Sequence, residues 1–185
     1  MSTDQLREDL QFVRSMAERS RPSRSPAAIY LVWAAISAIG FPLIDFAPQR
    51  VWLFWAIASP VGMALSFWIG SRSARAAGQI DRAEARRHLL HWGALLVVVF
   101  LASALLFTGR IPGRHFGEVV LLLVALAYFL AGVHLDRPLL AVALVMVAAY
   151  GMLFMLTSYA WTIVGLAIAA GLSLTAVMTS RKGSH

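Results

Sequence analysis

The stretch RRHLLHW, residues 86–92, sets His88 and His91 three positions apart. On one continuous helix, Glu84, His88 and His91 fall at i, i+4 and i+7, all on one face. At that spacing two imidazoles and a carboxylate can share one ion. Further along, AGVHLDRP supplies His134 and Asp136. The chain has no cysteine, which excludes disulfides, thiolate metal sites and iron–sulfur clusters. A metal would therefore be held by Glu84, His88, His91, His134 and Asp136, with zinc, iron or nickel the ions that suit such donors. His91 and His134 are the pair that would ligate a haem. Two features weigh against a ligand role. Arg86 and Arg87 oppose a bound cation. An amphipathic His beside Trp92 also suits the place where a helix enters a membrane.

A second polar group contains Asp45, His115 and Glu118, which could line an outer vestibule and attract cations. Glu118 has a simpler use in the first turn of a helix, facing the positive end of the dipole. Asp45 lies close to hydrocarbon depth, where a carboxylate needs a partner, and Arg50 or Arg114 is the expected one.

These groups have to be positioned by helices in a bilayer. Hydrophobic residues are 59% of the 185-residue chain, charged residues 14%, and mean hydropathy is +0.72. Too little charge remains to cover a soluble core. The apolar residues gather into six runs, at 27–46, 51–70, 89–108, 116–135, 138–157 and 159–179. Each is near the roughly 20 residues that a helix needs to cross a bilayer. The expected fold is all-α: a polytopic integral membrane protein of six transmembrane helices (27–180), plus an N-terminal cytoplasmic amphipathic helix. Asp81 and Glu84 resemble a capping box that starts the third helix ahead of its apolar run, making 71–88 a basic loop and helix extension.

With the N-terminus inside, cytoplasmic segments hold thirteen of the sixteen Lys and Arg residues, and outer loops hold Arg50, Arg110 and Arg114. Both termini are therefore expected in the cytoplasm of a bacterial inner membrane. The net charge of +7 follows from this placement rather than from a basic face for nucleic acid. Tyr30, Trp33, Trp68 and Trp92 fall near the inner edge, and Trp52, Trp55, Tyr159 and Trp161 near the outer one, as headgroup-seeking rings should. Ala58, Gly62, Ser66 and Gly70 form a small-residue stripe suited to helix packing, within the chain or in a homo-oligomer. Pro42 and Pro60 are expected to kink or interrupt their helices.

No Asp, Glu, Lys, Arg or His falls near the middle of any run. Proton-coupled carriers and pumps usually need one there. Hydroxyls at Ser37, Ser59, Ser103, Tyr128, Tyr150 and Thr162 remain for a passive path. The sequence has no nucleophile elbow, phosphate loop or zinc-protease motif.

The first 26 residues carry Asp4, Glu8, Asp9 and Glu18 and no apolar core, unlike a cleavable signal. In residues 1–19, Leu6, Leu10 and Val13 make an apolar stripe with Phe12 and Met16 beside it. Three arginines against four acids leave this helix near neutral, which suits protein more than anionic lipid. The expected function is non-enzymatic: a sensor or regulatory module that binds a cytoplasmic protein partner through its inner surface. The alternatives are a homo-oligomeric channel or facilitator for a small neutral or apolar solute, and a metal- or haem-binding redox protein.

Overall fold

The structure, a computed structural model, describes residues 5, 7–12, 25–76 and 82–181, apart from the side chains of Glu84 and Arg114. These residues form helices joined by turns, with no strand among them. Residues 7–12 are helical, with Leu10 and Phe12 exposed. Leu6, Val13, Met16 and Asp81 lie outside the described residues.

Seven helices follow: α1 (Ala27–Gly40), α2 (Pro42–Phe46), α3 (Val51–Ala76), α4 (Arg82–Phe107), α5 (Gly113–His134), α6 (Pro138–Met152) and α7 (Ala160–Arg181). Pro42 accounts for the break between α1 and α2, because it has no N–H to continue the ladder. Pro60, by contrast, sits inside an unbroken α3. At the end of α4, Gly109 has φ +70°, the Arg110 N–H bonds the Leu105 carbonyl and the Gly109 N–H bonds that of Leu106. This is a Schellman stop, and it needs a residue that tolerates the left-handed region.

Five segments are long and apolar enough to cross a membrane: Ala27–Phe46, Val51–Ala76, Ala85–Phe107, His115–His134 and Ala160–Arg181. The expected fifth span, 138–157, is instead the shorter α6. Its 15 residues rise about 22 Å, less than the roughly 30 Å of hydrocarbon. Tight backbone bonds from Leu153, Phe154 and Met155 to the residues three before them carry the chain on as turns. The physical reason is local: apolar composition continues past Gly151, but the helical ladder does not.

Chain direction can be followed through paired contacts. Gly40 lies against Phe54 and Trp55, Gly62 against Ile36 and Trp33, and Gly70 near Ile29, so α3 runs antiparallel to α1. The small stripe on α3 thus faces α1. Asp136, ahead of α6, bonds Tyr30 near the start of α1, while Asp45, in α2, bonds Thr162 near the start of α7. Helix α6 and its turn therefore cover the same length of bundle as α1 and α2.

Packing runs in sequence, α3 on α1, α1 on α7, α7 on α6, α6 on α5 and α5 on α4. Among the described residues α3 and α4 are not closely packed on each other, so α1 and α3 to α7 form an open ring. Leu121, Val142, Val164, Ile168 and Leu172 are fully buried where α5, α6 and α7 meet. They fill the middle of the bundle with apolar side chains. Helix α6 buries Leu139, Val142, Ala143, Met146 and Ala149, whereas the apolar window of α4 buries nothing. Exposed leucines, valines and phenylalanines on α3 and α4 suit a lipid solvent. The molecule is a helical bundle built to contact a bilayer.

Candidate functional site

Where α3 and α4 part, at the end of the bundle carrying Arg75 and Arg82, a cavity of about 340 Å³ opens. Helix α1 supplies Ile29, Tyr30 and Trp33 to its wall, α3 supplies residues from Met63 to Arg75, and α4 supplies Ala85, His88 and Trp92. Tyr128 of α5 and Leu139 of α6 complete it, with Ser25 and Pro26 just ahead of α1. Helix periodicity explains the composition. On α3, Met63, Ser66, Phe67, Gly70 and Ala74 recur at three- and four-residue steps, so one face looks into the cavity.

The wall is mainly apolar and its polar groups are fixed. The Trp33 Nε1–H donates to Ser66 Oγ at 3.0 Å, and the Ser66 hydroxyl donates to the Gly62 carbonyl at 2.8 Å. Trp92 meets Tyr128 edge-on, with ring centroids 5.2 Å apart. The Tyr30 hydroxyl donates to Asp136 Oδ2 at 2.8 Å, and the Ser25 backbone N–H points to the same oxygen at 3.3 Å. Asp136 is buried, and no side-chain polar atom among the described residues is buried without a partner. Hydrogen bonds to a carboxylate are stronger than neutral ones, so these contacts clamp the start of α1 to the α5–α6 turn. Tyr30 was expected at the headgroup edge, and Asp136 among the metal donors. The structure makes them one latch, 106 residues apart in sequence.

The expected metal donors do not form one group among the described residues. His91 does not line the cavity; its Nε2 lies 3.0 Å from the Ala127 carbonyl. A carbonyl only accepts, so this nitrogen carries the proton and is not presented to a metal. Its ring packs edge-on against Trp92 at 5.0 Å. His134 is exposed, seven residues and about 10 Å of helix beyond Ala127. His88 lines the cavity, and the Glu84 side chain lies outside the description. Among the described residues, no three His, Asp or Glu side chains form a group that could hold a metal.

At the opposite end, the Asp45 carboxylate accepts from the Thr162 N–H at 2.8 Å and from its hydroxyl at 2.7 Å. Asp45 thus satisfies an early N–H of α7 from another helix, and its negative charge suits that helix's positive end. Of the two arginines expected beside it, Arg114 has its side chain outside the description. His115 Nδ1 lies 3.1 and 3.2 Å from the two Glu118 oxygens, so these two pair with each other. Phe41 stacks on Trp161 at 6.0 Å and Phe46 lies 5.6 Å from Tyr159, making an aromatic layer around the same end.

The candidate path of hydroxyls is dispersed as well. Ser37 is buried, Ser103 bonds the Val99 carbonyl, Thr162 bonds Asp45 and Tyr128 packs on Trp92. Sequence reading missed both the cavity and the latch. Periodicity flags an inward face on α3, yet nothing in the sequence shows that α4 stands away from it. Compared with protein-family models, curated proteins and solved structures, the chain matches none.

Proposed function

We propose that this is a non-enzymatic sensor of a bacterial inner membrane, crossing it six times with its arginine-rich end in the cytoplasm. A ligand in the cleft between α3 and α4 is read at the start of α1 and passed to a cytoplasmic protein through the N-terminal segment. One observation carries this reading: Ser25 and Tyr30 belong both to the cavity wall and to the Asp136 latch. A molecule that displaces either residue must perturb the hydrogen bonds that anchor the chain just after that segment. The latch and its opened form supply the two states that any such coupling requires. Exposed Leu10 and Phe12 offer the apolar contacts for a partner.

The channel reading would need a path elsewhere, because large apolar residues fill the middle of the chain's own bundle. A redox reading has no metal-competent group among the described residues to build on. The plain mechanical consequence of the sensor reading is that filling the cleft must be felt at residues 25–30. Gly70 faces the cavity, and a Cβ there would meet only the Ile29 Cδ1, at 3.9 Å. In lipid nanodiscs, Gly70→Phe is expected to change backbone hydrogen exchange at 25–30 several-fold. Leu65→Trp, on the exposed side of α3, should leave it unchanged. Equal exchange in both variants, each melting like the parent, would remove the basis for a cleft-coupled sensor.

A further inference from the structure

Resting on the sensor reading, we infer that the cleft ligand is an anionic phospholipid of the surrounding bilayer, bound by one acyl chain between α3 and α4. Three observations converge on this class. The cavity is bounded by two helices that do not close on each other, and both present apolar side chains to the bilayer. A ligand can therefore enter sideways from the membrane. Its volume of about 340 Å³ lies at the small end of ligand pockets, which begin near 300 Å³, and its apolar wall includes Met63, Phe67, Trp33, Trp92 and Leu139. Such a wall suits a hydrocarbon chain and offers a charged group nothing.

The mouth is different. Ser71, Ser73, Arg75 and His88 line it, with Arg75 exposed on the last turn of α3. Arg72, between Ser71 and Ser73 on α3, lies over the Trp68 ring at 5.5 Å, and Arg82, Arg86 and Arg87 are exposed on α4. Arginine forks match phosphate oxygens, and basic side chains at a membrane surface attract anionic headgroups. An apolar slot with its cationic edge at the arginine-rich end is complementary to an acyl chain capped by a phosphate. A zwitterionic lipid offers the same chain but no net charge for the arginines.

The test uses full-length protein in neutral detergent, with native mass spectrometry counting bound lipid. Phosphatidylglycerol, phosphatidylcholine of equal chain length, a free fatty acid and inorganic phosphate are the four probes. Phosphatidylglycerol should bind at one site that Gly70→Phe abolishes. Arg75→Gln should weaken it about fivefold, the effect of one basic residue at an anionic surface. Phosphatidylcholine, whose choline cation offsets its phosphate, should bind more weakly than phosphatidylglycerol and lose less to Arg75→Gln. Equal binding of the two phospholipids, or phosphatidylglycerol binding that survives Gly70→Phe, overturns the assignment. Fatty acid or phosphate binding as tightly as phosphatidylglycerol overturns the bilayer as the source.

Hydrogen exchange at residues 25–30, read in the same samples, separates this failure from that of the sensor. Saturable phosphatidylglycerol binding with exchange unmoved sinks the sensor and leaves the lipid site standing. Exchange that responds to Gly70→Phe, without preference for the anionic lipid, does the reverse.

Discussion

Asp45 and Asp136 hold opposite ends of the bundle, and each does so by accepting two hydrogen bonds. Replacing Asp45 with Ala removes the cap on α7 and is expected to cost about 1–2 kcal/mol. Asn keeps an accepting oxygen and should recover much of that loss, both read by reversible unfolding in detergent. Asp136→Ala leaves the buried Tyr30 hydroxyl without its acceptor, at a cost of about 1–3 kcal/mol. Tyr30→Phe removes only the donor and should cost less. In a double-mutant cycle, the pair should lose clearly less than the sum of the singles; strict additivity would deny the latch. The sequence flagged Asp45, because a carboxylate near hydrocarbon depth needs a partner. It does not reveal Thr162 as a partner, because that N–H comes from a helix 117 residues away. Asp136 was grouped with histidines because sequence fixes the depth of a residue in a bilayer but not its position around the ring.

Helix contacts follow from the smallest side chains. A Cβ on Gly165 would lie 2.5 Å from the Phe41 Cβ and 3.0 Å from the Ser37 carbonyl oxygen, where α7 meets α1 and the α1–α2 junction. Neither neighbour can swing aside. Gly165→Val is therefore expected to destabilise the bundle by about 1–3 kcal/mol through overpacking. Gly93 has nothing within 4 Å of a built Cβ, so Gly93→Ala should be neutral or gain up to about 1 kcal/mol of helix propensity. A similar loss at both glycines, measured by unfolding, would count against this packing of α7. Small-residue spacing made the α3 stripe legible before any coordinates; which helix it meets was not. The length of α6 was illegible for a related reason. Hydropathy reports solvent preference, and residues 153–156 keep that preference while leaving the helical ladder.

Taken whole, the chain runs back and forth through a ring left open between α3 and α4, with arginines more numerous at one end than at the other. The helical membrane class was legible because bilayer thickness acts on any sequence alike. The open cleft was not, since it arises from how helices distant in sequence share the available faces. The central claim is that the short α6 and its turn still carry the chain across, so that both arginine-rich ends share one side. With no native cysteine, single-cysteine labelling is clean. Gly78→Cys, Ser158→Cys and Ser184→Cys can be probed in intact cells with a membrane-impermeant maleimide. Residue 158 should react from outside, and residues 78 and 184 only after the membrane is opened. If residue 184 labels in intact cells while residue 78 does not, or residue 158 is protected together with residue 78, α6 does not cross and the six-crossing account is contradicted.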